Sequence, residues 1–325
     1  MTRHFRPVLG ALLLSAATPA LAGEPFTFMT SWFAQAEHGG FYQALATGLY
    51  EKAGLDVTIR MGGPQVNSMQ LLLAGEADAY SGFDFQILNG VSQGLPLVAV
   101  AAVFQHDMNG LVTHPDVTTL DQIGDRTVMM ATSARTAWWP WLKAKYDLSD
   151  DQVKPYTFNI QPFVADSHAV QQGFASSEPY GLTQLGISYN FLPFYAEGYP
   201  PYGGTITTRH DVLEKREDAL RRFVRASMEG WKSYLADPAP GNALIRAANP
   251  KMTEDQLDFA VSHLREMNTV GMEDAARHGI GTMNPDRWKA SYDYMVGADL
   301  LPAATDWQSA FTTRIIDEIN VLPSQ

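Results

Sequence analysis

The sequence contains no cysteine. This absence excludes disulfide bonds, thiolate metal sites, cysteine nucleophiles and a lipid anchor on an N-terminal cysteine. Basic residues are also few, since 23 Lys and Arg stand against 35 Asp and Glu and give a formal net charge of −12. A negative charge of this size disfavours nucleic acids and anionic membrane surfaces as partners. A small-molecule ligand is compatible with it, because a local pocket can oppose the overall sign.

Motifs that bind metals or nucleotides are missing as well. The sequence has no H-E-x-x-H motif, no Walker A lysine loop and no G-x-G-x-x-G after a predicted strand. Its histidines show no spacing that is typical of metal ligands. We therefore expect no catalytic residues, no cofactor and no metal. After residue 22, no segment offers the roughly 18 consecutive apolar residues that a membrane-spanning helix requires.

The N-terminal segment has the three parts of a secretory signal peptide. Arg3 and Arg6 supply positive charge, residues 8–17 are mostly apolar, and Ala20-Leu21-Ala22 is a small-x-small cleavage site. The apolar run is too short to be retained as a spanning helix. We expect cleavage after Ala22 and a soluble exported protein without a lipid anchor. An outer barrier would keep such a protein near the cell, so we assign it to the periplasm of a double-membraned bacterium.

Strand patterns alternate with helix patterns along the chain, which is typical of a parallel α/β sheet. In the first series we predict strands at 26–29, 55–59, 77–80 and 95–105, and helices at 39–52, from about residue 65, and at 84–94. A second series has predicted strands at 126–131 and 153–158, helices at 135–146 and 167–174, and a strand-to-loop turn at S-S-E-P-Y-G. The C-terminal third is mostly helical in pattern.

This order predicts an α/β protein with two lobes and a ligand cleft between them. Lobe 1 is discontinuous and comprises residues 23–112 and 206–325, and lobe 2 is the inserted segment 113–205. Two lobes joined by paired crossing segments can close like a hinge on a ligand.

Candidate ligand contacts follow the predicted strands, because ligands of open α/β sheets lie beyond the carboxyl ends of the strands. Trp32 and Phe33 stack on a planar ligand or pack in the core. Glu37 and His38 form an acid–base couple, contact the ligand or cap a helix. The remaining candidates are Gln65, Asn67, Ser68, Asp84, Phe85, Phe104, Ser133, Arg135, Thr136, Trp138, Glu178 and Tyr180.

Several of these candidates have an ordinary structural alternative. Asn67 and Ser68 stand at a predicted helix start, where they cap the helix or leave N–H groups for a ligand. Arg135 holds a ligand or makes a surface ion pair. Glu178 accepts hydrogen bonds from an amino group or is a solvated turn acid. Trp138 lies in a tryptophan-rich helix, of which at least one indole is expected in the core.

The stretch T-S-W-F-A-Q-A-E-H-G-G-F-Y-Q-A-L-A-T-G-L-Y-E-K-A-G-L-D-V-T-I resembles the first strand, helix and second strand of a group of solute-binding proteins. This group binds thiamine-pyrimidine precursors, nitrate and alkanesulfonates. The G-E-A-D step at Gly75–Asp78, the E-P-Y turn and the late helix R-R-F-V-R-A-S-M-E-G-W-K-S-Y-L-A-D-P are similar too. The resemblance implies a periplasmic-binding-protein type II architecture and an ABC importer permease in the inner membrane as partner. It also implies that Glu178 holds an aminopyrimidine between aromatic walls, while Trp32 and His38 match the strand-end aromatic and the histidine of the pyrimidine binders.

Three functions follow from these patterns. The leading hypothesis is a monomeric, non-enzymatic receptor that captures a planar heteroaromatic ligand by hinge closure and delivers it for import. The ligand is alternatively a sulfonate or an aromatic carboxylate, held by Arg135, Ser133 and helix-start N–H groups. A different class of function is a periplasmic enzyme with Glu/His acid–base chemistry. A sensory module that uses the same closure is not separated from transport by sequence.

Overall fold

The computed structural model describes residues 23–324, so the predicted signal peptide and its cleavage site lie outside the described residues. Within the described part, ten strands form two five-stranded sheets. The strands are β1 Glu24–Met29, β2 Leu55–Arg60, β3 Ala79–Gly82, β4 Leu97–Phe104, β5 Asn109–Thr113, β6 Thr127–Met130, β7 Val153–Pro155, β8 Ala169–Phe174, β9 Asn190–Pro193 and β10 Gly203–Arg209.

Helices flank both sheets. Across residues 23–324, no helix is both long and apolar enough to cross a membrane. The α-helices are α1 Gly39–Ala46, α2 Leu49–Lys52, α3 Ser68–Leu73, α4 Asp84–Ser92, α5 Trp139–Tyr146, α6 Gln161–Ala165, α7 Glu178–Gln184, α8 His210–Lys215, α9 Glu217–Ala236, α10 Ala239–Ala248, α11 Glu254–Met267, α12 Glu273–His278 and α13 Pro285–Gly297. Short 3₁₀ helices occur at Ala36–His38, Leu120–Ile123, Thr132–Thr136, Asp150–Gln152, Phe194–Glu197, Trp307–Ala310 and Ile316–Glu318.

Each sheet is mostly parallel and contains one antiparallel strand. In both sheets, this strand is the first one that the chain forms after it crosses over from the other sheet. The first sheet has the order β2-β1-β3-β10-β4, and β10 runs antiparallel to both of its neighbours. The second sheet has the order β7-β6-β8-β5-β9, and β5 runs antiparallel to both of its neighbours. The predicted α/β class is confirmed.

The chain passes between the sheets twice, through residues 105–108 and 194–202. β5 already pairs within the second sheet, and β10 already pairs within the first sheet from Gly203 onward. Both passages therefore lie a few residues before the lobe boundaries expected from sequence, at 112 and 205.

Burial differs between β4 and β2, which are the two edge strands of the first sheet. β4 is the apolar run L-V-A-V-A-A-V-F, and all of its residues are buried, as expected for a strand covered on both faces. β2 is an edge strand in which buried Leu55 and Val57 alternate with exposed Asp56 and Thr58. The two-residue period places one face of β2 on the core and the other in solvent.

The helix predicted at 167–174 is wrong, because residues 169–174 form β8, the central strand of the second sheet. Two buried glutamines, Gln171 and Gln172, occupy positions of this central strand where apolar residues are expected. The sequence of β8 therefore lacks the apolar pattern of a central strand. Gln172 is 8% exposed, and its Oε1 accepts the Ala131 N–H at 2.6 Å. The turn predicted at S-S-E-P-Y-G is also wrong at its end, because Glu178 begins α7 with Pro179 in the first turn.

Two predicted helices are shorter than expected. The helix predicted at 39–52 is divided into α1 and α2, because Gly48 adopts a left-handed conformation with a φ of 69°. The helix predicted at 135–146 begins only at Trp139, after the 3₁₀ helix Thr132–Thr136, and Pro140 lies in its first turn. The strand predicted at 153–158 ends at Pro155.

The adjacent glycines at the start of α1 are required by close packing. A Cβ on Gly39 would collide with the ring of Tyr234, and a Cβ on Gly40 would collide with the ring of Trp231. Both rings belong to α9, which packs along α1. The preceding turn, Ala36–His38, leads directly into this tightly packed helix and also packs against α11.

We expect Gly40→Ala to lower the free energy of unfolding by about 1–3 kcal/mol, because the added methyl group overpacks the α1–α9 interface. The matched control is Gly297→Ala in α13, where a Cβ meets nothing within 4 Å. That variant should gain about 0.5–1 kcal/mol from helix propensity alone. Urea denaturation followed by circular dichroism measures both values, and equal gains in the two variants would contradict the packing argument.

Candidate functional site

A cavity lies between the two sheets, at the ends of the strands that carry the predicted candidates. It encloses about 720 Å³, including its opening to solvent. We call it the inter-sheet cavity. Seven predicted residues line it: Trp32, Glu37, His38, Phe104, Ser133, Trp138 and Glu178. Its further lining residues are Ser31, Ser81, Phe83, Asp107, Asn109, Ala134, Ala137, Gln172, Phe174, Ser177, Gly203 and Gly204.

Four other predicted residues line a neighbouring space, which we call the Arg135 pocket. It contains Asn67, Ser68, Arg135 and Thr136, and it shares Ser31, Ser81, Phe83 and Ser133 with the inter-sheet cavity. Asn67 caps α3 by accepting the Gln70 N–H at 3.1 Å, which is the structural role considered for it. Arg135 is exposed and forms no ion pair within residues 23–324.

The remaining five candidates lie outside both spaces. Asp84 is buried at the start of α4 and accepts the Tyr202 N–H at 2.9 Å. Phe85 packs in the core against Tyr199. The other three contact residues from the opposite side of the cleft: Phe33 packs on Phe158, Tyr180 on Phe259, and Gln65 accepts a hydrogen bond from Thr132.

Trp32 connects the two halves of the cleft. It follows β1, and its ring is nearly parallel to that of Tyr156, with 6.4 Å between the ring centroids. It also meets Phe158 edge-on at 6.0 Å. Tyr156 and Phe158 follow β7 of the second sheet. Trp32 therefore packs across the cleft and also lines the cavity, and its role as a ligand contact stays a prediction.

Polar contacts also join the two sides of the cleft. Ser177 donates its hydroxyl hydrogen to Gln35 Oε1 at 2.8 Å. Gln86 Nε2 donates to Thr136 Oγ1 at 3.2 Å. Because these pairs join loops of the first sheet to loops of the second, the structure has its lobes in contact around the cavity.

Glu178 is held at the start of α7 by two internal donors. The Tyr156 hydroxyl donates to Oε1 at 2.8 Å, and the Phe174 N–H donates to Oε2 at 2.7 Å. Glu178 is only 5% exposed, so it is not a solvated turn acid. Burial raises its pKa, while the two donors act in the opposite direction.

Glu37 and His38 lie together on the 3₁₀ turn before α1. Burial raises the pKa of Glu37 to about 8, and the nearby Glu178 carboxylate acts in the same direction. Burial lowers the pKa of His38 to about 3. Both groups are therefore uncharged at neutral pH. Glu37 Oε2 and His38 Nε2 are buried, and neither has a hydrogen-bond partner within the described part of the chain.

Asp107 is a cavity residue that sequence reasoning missed. It lies in the first passage between the sheets and is 1% exposed. Its Oδ1 accepts both the N–H and the side-chain amide of Asn109 at 2.6 Å. Burial raises the pKa of Asp107 to about 6. The sequence contains a signal for Asp107, because the stretch F-Q-H-D-M-N-G lies at the end of the most apolar strand. Of this stretch, only Phe104 is among the predicted site residues.

The titratable side chains of the inter-sheet cavity are acidic, apart from the uncharged His38. Glu37, Asp107 and Glu178 line it, and neither lysine nor arginine is among its lining residues. Such a cavity favours ligands that donate hydrogen bonds and disfavours anions. Across residues 23–324, no group of three or more Asp, Glu, His or Cys side chains is placed to hold a metal ion.

Glu37 should make stability fall as pH rises. Its proton is held to about pH 8 in the folded state, whereas an exposed glutamate releases its proton near pH 4.5. Between these values the unfolded chain binds fewer protons, so the free energy of unfolding decreases by up to about 1.4 kcal/mol per pH unit. We expect Glu37→Gln to remove this contribution, and its stability relative to wild type should increase from pH 5 to pH 8.

The matched control for this prediction is Glu229→Gln, which changes an exposed glutamate of α9. Its stability should remain parallel to that of the wild type over the same range. Thermal and urea melts at each pH provide the measurement. A Glu37→Gln curve parallel to the wild type would mean that Glu37 ionises normally.

Comparison with known proteins agrees with this fold. The riboflavin-binding protein RibY of Chloroflexus aurantiacus is 24% identical over 319 residues, covering 92% of this chain and 89% of RibY. A putative thiamine biosynthesis protein of Haemophilus influenzae is 28% identical over 286 residues, covering 82% of this chain and 88% of the relative.

Among solved structures, the periplasmic aliphatic sulphonate binding protein SsuA from Escherichia coli superposes with a TM-score of 0.64 at 13% identity, covering 88% of this chain and 91% of that one. The predicted two-lobed periplasmic-binding-protein architecture is thereby confirmed. A sequence profile described as NMT1/THI5 like matches residues 35–240, which is more than half of the chain. The protein therefore belongs to the NMT1/THI5-like family.

Proposed function

We propose that the protein is a non-catalytic, extracytoplasmic solute-binding protein. It captures a small planar heteroaromatic ligand, similar to a pyrimidine precursor, in the inter-sheet cavity. The lobes close on the ligand, and the closed form delivers it to the permease of an ABC importer in the inner membrane. Export by a signal peptide that is cleaved after Ala22 places the receptor in the periplasm, where it acts as a monomer.

The observation that carries this proposal is the composition of the cavity wall. Trp32, Phe104 and Trp138 offer aromatic surface, and Glu37, Asp107 and Glu178 offer carboxyl groups without a basic partner. Flat rings pack well against aromatic walls, and amino groups at their edge satisfy buried carboxyl oxygens. A heteroaromatic amine combines the two properties in one small molecule.

Two relatives support the ligand class and the location. Riboflavin and thiamine, which occur in the names of the two sequence relatives, both contain planar nitrogen heterocycles. The structural neighbour from Escherichia coli is described as periplasmic. These names describe the relatives, and they support the same assignment for this chain because the family and the fold are shared.

The absence of turnover is part of the proposal. The sequence Gly90–Gly94 reads G-V-S-Q-G, the spacing of a serine-hydrolase nucleophile turn. Here it ends α4 instead of joining a strand to a helix, and the Ser92 hydroxyl donates to the Asn89 carbonyl. His38, with a pKa of about 3, is also a poor base at neutral pH.

The first experiment is native mass spectrometry of the purified protein, followed by thermal-shift assays against heteroaromatic amines, flavins, sulfonates and aromatic carboxylates. We expect a planar nitrogen heterocycle to raise the melting temperature and to be released chemically unchanged. Small-angle scattering should then show a more compact particle with the ligand than without it. A product of altered mass would support the acid–base enzyme instead.

The Arg135 pocket supports a second candidate ligand, a sulfonate or aromatic carboxylate. The exposed guanidinium of Arg135 and the hydroxyl groups of Ser133 and Thr136 are suited to an anionic group. This pocket has no Asp or Glu among its lining residues, unlike the inter-sheet cavity.

Two charge-removing variants separate the ligand classes. Glu178→Gln keeps the Phe174 N–H bond through its amide oxygen but loses the negative charge. For a heteroaromatic amine, the loss of one charge-assisted hydrogen bond should cost about 1.5–3 kcal/mol, or roughly 10- to 100-fold in Kd. Arg135→Gln should leave that Kd within a factor of about three.

Isothermal titration calorimetry with 4-amino-5-hydroxymethyl-2-methylpyrimidine and with benzenesulfonate measures both variants. If the ligand is an anion, the pattern reverses: Arg135→Gln weakens binding of the sulfonate and Glu178→Gln has no effect. Unchanged pyrimidine affinity in Glu178→Gln would remove the ligand role of Glu178.

A further inference from the structure

Three buried polar atoms without partners come from one short stretch of chain. They are Gln35 Nε2, Glu37 Oε2 and His38 Nε2, all on or next to the 3₁₀ turn Ala36–His38. Buried side-chain polar atoms are usually hydrogen-bonded, because an unmet donor or acceptor loses its interaction with water without compensation. Glu37 and His38 also line the inter-sheet cavity. The vacant hydrogen-bonding capacity of this turn is therefore available to a ligand.

The two glutamates of the cavity differ in their internal partners. Both carboxyl oxygens of Glu178 accept hydrogen bonds from the protein, from the Tyr156 hydroxyl and the Phe174 N–H. These two donors favour its ionised form. Oε2 of Glu37 has no such donor, and the residue is 6% exposed. Apart from a hydrogen bond with its own backbone, which acts to lower the pKa, nothing among the described residues around the Glu37 carboxyl compensates a buried negative charge.

The neighbouring titratable groups agree with this difference. Glu178 on α7 opposes ionisation of Glu37, and burial keeps His38 uncharged. On α9, burial first and then the charge of Glu37 raise the pKa of Tyr234, so this phenol is also neutral. Asp107 is the remaining acid of the cavity wall. α11 packs on the turn with a buried aliphatic face, while its Asp258 is exposed and its half-buried His263 contacts the Phe259 carbonyl.

We propose that Glu37 acts as a neutral carboxylic acid that donates a hydrogen bond to an acceptor atom of the ligand, opposite the acceptor Glu178. The inference rests on the proposed function and specifies its ligand class. The ligand carries a hydrogen-bond acceptor, such as a ring nitrogen or a ring carbonyl, in addition to a donor such as an amino group. Simple ammonium ions and anilines, which offer donors alone, leave the Glu37 hydroxyl without a partner and are rejected.

The test compares Glu37→Gln with Glu37→Ala, using 4-amino-5-hydroxymethyl-2-methylpyrimidine as the probe. The amide of Gln is uncharged and can still donate, so Glu37→Gln should bind within about threefold of wild type at pH 7. Glu37→Ala cannot donate and should bind at least about tenfold more weakly. 3-Methylaniline, in which CH groups replace both ring nitrogens and the hydroxymethyl acceptor is absent, should bind weakly to all three proteins.

The pH profile gives a second readout that a purely structural role would not move. Above about pH 7 the probe is uncharged, so a change in affinity reports on the protein. Wild-type affinity should fall as pH rises through the ionisation of Glu37, and Glu37→Gln should show a smaller fall. The remaining fall in that variant belongs to the other cavity acids.

The outcomes are distinct. If wild type binds the probe but Glu37→Gln is as weak as Glu37→Ala, Glu37 is an ionised acceptor and the inference is wrong. It is also wrong if Glu37→Ala binds like wild type, or if the wild-type and Glu37→Gln pH profiles coincide. If wild type binds no nitrogen heterocycle, the proposed function fails and the inference fails with it. If Glu37→Ala does not fold, the pH profiles of the wild type and of Glu37→Gln still test the inference.

Discussion

The candidate site depends on three carboxyl groups that are buried at the cavity wall and have no basic residue beside them. Glu37, Asp107 and Glu178 are each less than one-tenth exposed, and neither lysine nor arginine lines the cavity that they share. Burial of a charge in such surroundings is costly, so these groups hold protons more tightly or depend on internal donors. A ligand with complementary donors and acceptors would relieve part of that cost.

Contacts between segments at the strand ends of the two sheets keep these carboxyl groups buried. Trp32 from the first sheet packs against Tyr156 and Phe158 beside the second, and Ser177 reaches back to Gln35. These contacts involve side chains at strand ends, not the sheet interiors. Separation of the lobes would expose the acids, and it would also disturb a buried apolar cluster that contains Phe85 of the first lobe and Leu111 and Trp141 of the second.

Much of the fold follows from patterns that are local in sequence. The buried run of β4, the alternation of β2 and the amphipathic C-terminal helices were predictable because their periodicity matches their burial. β8 was not, since Gln171 and Gln172 occupy a central strand where apolar residues are expected. Trp32, Glu37 and Glu178 were identified as site candidates from their positions after strands. Asp107 was missed, and Phe85 lies in the core, because the direction of a side chain depends on tertiary packing that no local pattern encodes.

The order of strands in the first sheet has a consequence for how the chain is made. β4 joins that sheet only through β10, which follows it by about a hundred residues in sequence. While the polypeptide emerges from the ribosome, β4 can pack against α4, but it has no strand-pairing partner in its sheet until residues 203–209 appear. The first sheet therefore cannot complete its strand pairing before this late segment of the chain has been synthesised.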